Sequence, residues 1–325
     1  MIKMGRTSPG VSVVIPCYNN GDRVATAIES ALKQTYDPME VTVVNDGSTD
    51  NSAEVIAEYE DRITYVETEN HGAGHARNEG LRRSTGPYVK FLDADDELYP
   101  DALRQQVNQT TALSEPTHVV FGDAQYVRPN GSVSRETNFS NETFENRLLR
   151  VLKWNLQTSL PLHQRSYLEA VGGFDDSLPR AQEYDLHFRL AIHGVRFTYR
   201  PARVTRILQH DEPDRISNQD HFSRHPRGRL ERIRSRTEAA QEANLLNDAL
   251  RIHFARASWH AGRMALRRGF TDIADEYFEL ARSLHDDHVA STSIVYRWIA
   301  KGIEPHTAEW LVDRARSLQS LYSLS

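Results

Sequence analysis

At 325 residues the chain is long enough for one large domain or two, and 39% apolar with 26% charged residues is ordinary for a globular protein. A net charge of −6 argues against nucleic acid as a partner, and the single Cys17 excludes an internal disulfide framework or a cysteine-based zinc site. No apolar run approaches the roughly 20 residues that span a bilayer, and Met1–Gly10 lacks the apolar stretch of a secretion signal, so the expected location is cytoplasmic and the sequons at Asn138 and Asn141 carry little meaning.

Val11–Cys17 is a continuous β-branched run that predicts a buried parallel strand, closed by Tyr18-Asn19-Asn20-Gly21 and followed by helical spacing over 22–34. Glu40–Val44 predicts a second strand ending at Asn45-Asp46-Gly47, and Asn51 three residues before Glu54 has the pattern of a capping box. Arg62–Glu67, a helix over 74–84 and Pro87–Leu92 continue the alternation, which implies βαβ units and a doubly wound sheet. Ligands of such sheets bind at the C-terminal strand ends, where Cys17-Tyr18-Asn19, Asp46-Gly47 and Asp93–Asp96 all fall.

The last of these clusters, Asp93-Ala-Asp95-Asp96, follows the apolar Tyr88-Val-Lys-Phe-Leu92. Carboxylates crowded at the end of a buried strand repel one another unless a cation intervenes, and their oxygens suit Mg²⁺ or Mn²⁺. A helix N-terminus favoured by acids is the plainer explanation, and Asp96 and Glu97 fit that capping role. Beyond residue 100 the pattern loosens. His118–Gly122 predicts a strand, Arg128-Pro-Asn130-Gly131 a hairpin turn, Val171–Asp175 a loop, 182–193 a helix and Val204–Gln209 a late strand ending at His210. From about 215 the chain turns helical, over 229–247 and 250–285. Trp259, Gly262, Ala265, Tyr277 and Phe278 are spaced like one tetratricopeptide-type hairpin, which predicts a helical cap and not a binding array.

Taken in order, Val13-Val-Ile-Pro16-Cys17-Tyr18-Asn19, Asn45-Asp46-Gly47-Ser48-Thr49-Asp50, Asn70-His-Gly-Ala-Gly-His-Ala-Arg77-Asn78, Asp93-Ala-Asp95-Asp96, Gly172-Gly173-Phe174-Asp175 and Gln182-Glu183-Tyr184-Asp185 resemble the family-2 glycosyltransferases, inverting enzymes of the GT-A fold. The resemblance covers residues 11–215. It implies a GT-A catalytic domain over 1–215, a mixed α/β sheet, with 216–325 as a helical extension. It also implies a nucleotide-diphospho-sugar donor, a UDP-sugar first, with Mn²⁺ or Mg²⁺, and a glycan or lipid-linked acceptor.

Carried over residue by residue, Pro16, Tyr18, Asn19, Asp46, Arg77 and Asp93 would line the nucleotide-sugar site, Tyr18 stacking on the base and Asp46 accepting from it. Arg77 would bond the base or pair with an acid. Asp95 would hold the metal, with His210 touching metal or diphosphate. The general base is typically the aspartate of a Glu-Asp pair opening a late helix. Here that pair reads Gln182-Glu183, which makes Glu183 the candidate and Asp185 its rival. Residues two apart on a helix point about 200° away from each other, so one of the two faces the cleft.

Trp154 reads as core and not as a sugar platform, and His71 and His75 as loop and helix residues and not as ligands. The run Arg224, Arg227, Arg229, Arg232, Arg234 and Arg236 is either a solvated linker leading into a helix or a contact for anionic lipid, or a lipid-diphosphate acceptor, at the inner membrane face. The segment around Trp298, Ile299, Trp310 and Leu311 would cover the core or lie on a membrane, and an exposed helical face would allow a homo-oligomer. The competing class is a non-catalytic nucleotide-sugar-binding scaffold that works through its helical tail.

Overall fold

The structure, a computed structural model, describes residues 10–115, 117–140, 146–210, 226–289, 303–308 and 310–311. The chain divides into two compact units, residues 1–212 and 213–325. Arg224, Trp298, Ile299 and the sequon at Asn141 lie outside the described residues.

The first unit opens with β1 (Val11–Cys17), α1 (Gly21–Leu32), β2 (Met39–Asp46), α2 (Ser52–Ala57), β3 (Thr64–Thr68), α3 (Ala73–Arg83) and β4 (Tyr88–Phe91). These agree with the expected strands and helices to within about two residues, because β-branched runs buried on both faces leave the chain few other pairings. It continues with β5 (Asp96–Leu98), α4 (Ala102–Thr111), β6 (His118–Val127), β7 (Val133–Glu136), α5 (Arg147–Trp154), β8 (Pro161–Gln164), α6 (Arg165–Ala170), α7 (Gln182–Ile192) and β9 (Arg196–Leu208).

The sheet order is β3-β2-β1-β4-β8-β6-β9-β5, with β7 on β6. β3, β2, β1 and β4 are parallel, β8 runs against both β4 and β6, and β9 is parallel to β6 and antiparallel to β5. The sheet is therefore mixed, as expected.

Alternation along β1 sends Val11, Val13, Ile15 and Cys17 into a core with α1, α2 and α4. The other face packs on α3, whose Gly80 lies so close to β1 that a Cβ there would stand 2.3 Å from Val14 Cγ1. Gly80→Ala should therefore lose about 1–2 kcal/mol in urea unfolding, because overpacking outweighs the roughly 1 kcal/mol that alanine adds in a helix. Val14→Ala in the same chain should remove that loss.

Three expectations change. Asp96 does not cap a helix: it is buried in β5 and accepts from Leu208 N (3.3 Å), fastening the end of β9. Asn51 makes no capping bond. Its place is taken by Asp50, which accepts from Ser52 N (3.0 Å), while Asn51 packs over Gly21. The strand expected to stop at Gly122 runs on to Val127, because glycine lets β9 pass (a Cβ would come 2.4 Å from Ala202 O) and the ladder shifts register there. The turn at 128–131 forms as expected, with Gly131 N donating to Arg128 O (2.8 Å).

The second unit holds α8 (Pro226–Glu242), α9 (Asp248–Arg267) and α10 (Thr271–Leu284). Asn247 caps α9 by accepting from Leu250 N (3.1 Å). Trp259 and Tyr277 are fully buried, and Gly262 lets Phe278 approach Trp259 to 4.7 Å between ring centroids. This is the expected hairpin. Arg227, Arg229, Arg232, Arg234 and Arg236 lie on α8, where Arg227 and Arg234 pair with Glu276 of α10 (3.0 and 3.2 Å). Trp310 and Leu311 are exposed. Among the described residues no helix is long and apolar enough to cross a membrane.

Candidate active site

The β1–α1 and β2–α2 loops are tied together before they reach any ligand. Asp50 accepts from Gly21 N (3.0 Å) and from the Ser52 hydroxyl, and Ser52 Oγ accepts from Asn20 N (3.0 Å). Burial pushes the Asp50 carboxyl up, but these hydrogen bonds outweigh it and hold the group below the usual carboxylate range. Asn19, in left-handed backbone, accepts from Thr49 N (2.8 Å) and donates its own N–H to Ser48 Oγ (3.0 Å).

Pro16 is buried in β1 and pairs with Val44. Val14 O accepts from Leu92 N, and Pro16, two residues on, faces the same side after β4 has ended, so its missing donor breaks no ladder. Tyr18 follows at the strand end, 47% exposed, with its ring available to a ligand.

Asp46, the last residue of β2, is 2% exposed and accepts from His71 N (3.0 Å) and Gly72 N (2.8 Å). Gly72 is in left-handed backbone, and a Cβ on Gly47 would come 2.7 Å from Asn70 N, so glycines are required on both sides of this contact. The carboxylate thus holds the loop leading into α3. His75 Nδ1 lies 3.1 Å from Asp176, and the rings of His71 and His75 are 4.8 Å apart.

At the end of β4, Asp93 accepts from Arg77 Nη2 (2.7 Å) and Asp95 lies 2.9 Å from His210 Nε2. The pairing of β5 with β9 (Asp96 opposite Ile207), together with the Asp96–Leu208 bond, delivers His210 to Asp95 across more than a hundred residues of chain. Among the described residues no three acids, histidines or cysteines form a closed metal cage. The Asp95 carboxylate fits a hard cation whose remaining ligands are waters and substrate phosphates, and the His210 imidazole beside it suits Mn²⁺ better than Mg²⁺; neither makes a permanently caged ion.

Of the two base candidates, Asp185 is engaged by Arg189 Nε (2.7 Å) one turn along α7. Glu183, in the first turn and half-buried, has no hydrogen-bond or ion-pair partner among the described residues. The preceding Ala181 sits in left-handed backbone (φ 55°), an unusual conformation for a residue with a side chain. Arg77, 7% exposed, donates to Gln182 Oε1 (3.1 Å) as well as to Asp93, and its guanidinium lies 5.4 Å from the Phe174 ring centroid. The expected pairing with an acid is present, at Asp93.

Asn78, noticed in the sequence as part of a motif and given no role there, clamps the 174–176 loop by accepting from Phe174 N (2.8 Å) and donating to Phe174 O (2.9 Å). A polar side chain in the middle of α3 carries no signal of a partner 96 residues away. Trp154 is 8% exposed in an aromatic cluster with Phe121 and Phe139, the core role expected of it.

The curled mixed sheet with ligand-facing loops at the parallel strand ends is the GT-A fold. Staphylococcus aureus TarS, crystallised as residues 1–349 with UDP-GlcNAc, superposes with a TM-score of 0.58 at 18% identity, over 84% of this chain and 91% of that one. Residues 12–166 match the profile of glycosyl transferase family 2, which identifies that segment as a member of the family. An uncharacterised glycosyltransferase of Rickettsia felis is 35% identical over 217 residues, 65% of this chain and 36% of the relative. The Escherichia coli protein YibD, also an uncharacterised glycosyltransferase, is 47% identical over 119 residues, 36% of this chain and 34% of its own length. The chain thus spans about a third of the length of either relative.

Proposed function

We propose that the protein is an inverting glycosyltransferase that moves a sugar from a nucleotide-diphospho-sugar, a UDP-sugar first, to an acceptor hydroxyl in surface-glycan or glycolipid synthesis. The observation that carries the reading is a carboxylate with no partner among the described residues, Glu183, opening a helix whose first residue is joined through Arg77 to Asp93 at the end of β4. As the acceptor oxygen forms its bond to the anomeric carbon, Glu183 takes the hydroxyl proton. The bond from that carbon to the diphosphate breaks with its electron pair on the departing oxygen, and configuration inverts. Asp95 and His210 would hold Mn²⁺ or Mg²⁺, which when bound offsets charge on the departing diphosphate. Tyr18 offers a face to the base. Pro16, Asn19 and Asp46 shape that pocket through the loops they hold, and Asp93 faces the donor.

Affinity for a ligand that binds the folded state raises stability by about 2.7 kcal/mol at a hundredfold excess over Kd. UDP with Mn²⁺ is therefore expected to raise the melting temperature where UDP alone does not, and Asp95→Ala should abolish the metal-dependent part. A metal-supplemented screen of nucleotide-sugars, read by binding and by release of nucleoside diphosphate, tests the donor class. No response to any nucleoside diphosphate would sink the reading, and binding without turnover on any acceptor would favour the scaffold alternative.

A further inference from the structure

Among the described residues no hydrogen bond or ion pair holds the Glu183 carboxylate, yet a base must stand within about 3 Å of the proton that it removes. What fixes it is the residue before it. Gln182 is 6% exposed and is gripped at both ends of its amide: Oε1 accepts from Arg77 Nη1 (3.1 Å) and Nε2 donates to Leu178 O (2.6 Å). Gly74 of α3 packs against the same amide, where a Cβ would stand 3.2 Å from Gln182 Cδ. Arg77 reaches the amide from α3 with one arm of its fork and holds Asp93 with the other (2.7 Å). A planar fork fixes direction as well as distance, which a single-point ammonium does not.

Adjacent residues on a helix are turned by about 100°, so an immobile Gln182 directed at α3 sets where Glu183 projects. The left-handed backbone of Ala181 and the Asn78 clamp on residues 174–176 bring the chain to that point.

We propose that Gln182 and Arg77 are positioning residues that index the start of α7, and with it Glu183, to the donor-side carboxylate Asp93. The pair Asp93–Arg77 is charge-balanced, and Gln182 extends it without adding charge, so the brace reaches from β4 to α7 through one buried cation. The inference rests on the proposed role of Glu183 as base.

The test is Gln182→Leu, which keeps the side-chain volume and removes the acceptor, compared with Gln182→Glu, which restores an oxygen at the same reach. A displacement of about 1 Å at a reacting group lowers rates by up to about 100-fold. Gln182→Leu is therefore expected to reduce kcat for transfer by about 10- to 100-fold, with the Kd for UDP and Mn²⁺ within twofold of wild type and a binding stoichiometry near one. Gln182→Glu should stay within about fivefold of wild type. If Gln182→Leu is recovered unfolded, Gln182→Ala is read the same way.

Unchanged kcat in the leucine or alanine variant overturns the proposal, as does a parallel loss of kcat, nucleotide affinity and stoichiometry, the signature of a general structural role. A wild-type protein that transfers from no donor, or one that stays fully active as Glu183→Gln, overturns the functional reading instead, so the two failures are distinguishable.

Discussion

Glu183→Gln is expected to lower the transfer rate by about 10²- to 10⁴-fold, the range that a positioned general base contributes, while leaving the affinity for UDP and Mn²⁺ within twofold. Affinity is spared because Glu183 bonds none of the residues that hold Asp93, Asp95 or the β1 and β2 loops. The amide keeps the shape of the side chain and loses its ability to accept a proton as a base.

Asp185→Asn is the matched control. Its carboxylate is already held by Arg189 (2.7 Å), and an asparagine oxygen can still accept that bond, so the rate should fall less than about fivefold. Transfer rates at saturating donor with titrated nucleotide sites decide between them. An inert Asp185→Asn beside an active Glu183→Gln would reverse the assignment.

Acidification is expected to unfold the first unit through a cluster that lies away from the strand-end loops. His163 of β8 and His187 of α7 are 1% and 2% exposed, stacked at 5.5 Å, with Phe91 and Phe197 around them. Lys90 of β4, fully buried, donates to Gln106 Oε1 (2.9 Å) and Leu160 O (3.0 Å). Among the described residues no carboxylate pairs with any of the three. Burial lowers the pKa of His187 to about 3. It also holds His163 well below the imidazole range, with the neighbouring His187 and Lys90 adding to the effect. Lys90 is likewise held far below an ordinary lysine by burial.

For a base whose folded pKa is depressed, no penalty exists above the unfolded value of about 6.5, where both states are neutral. Below it the unfolded histidines bind protons that the folded ones refuse, and stability falls until the pH reaches the folded pKa. For His187, with a folded value of about 3, the loss is about 1.4 kcal/mol per pH unit, or roughly 3 kcal/mol between pH 6.5 and 4.5, and His163 acts in the same direction. His163→Phe/His187→Phe should flatten the pH dependence of urea unfolding in that window by at least about 1.4 kcal/mol per unit. An unchanged slope would mean that the acid response comes from other groups, the carboxylates and Lys90.

The first hundred residues were legible because each element there obeys a local rule. Val11–Cys17 is a strand by its β-branched run, Asp46 and Asp93 fall at strand ends by the length of the runs before them, and Gly47 and Gly72 mark backbone that other residues adopt poorly. Past residue 100 the pattern weakens, and even before it β5, like β8 later, is only three or four residues long, too short for any period to show. These strands exist because neighbouring strands offer them ladders. Asp96 shows the difference plainly. Its surroundings in the sequence fit a helix cap, and its partner, Leu208 N, is 112 residues away.

By itself the sequence determined the βαβ alternation, the strand-end positions of Tyr18, Asp46, Asp93 and Asp95, and the choice between two acids, Glu183 and Asp185, because these follow from period, run length and motif order. Tertiary structure alone decided the rest: that Asp185 is bound to Arg189 while Glu183 has no partner among the described residues, that Arg77 meets both Asp93 and Gln182, and that His210 reaches Asp95. The reason is geometric. Hydrogen bonds act over about 3 Å, and these partners lie up to 115 residues apart, so no local pattern encodes them until the sheet brings the strand ends together.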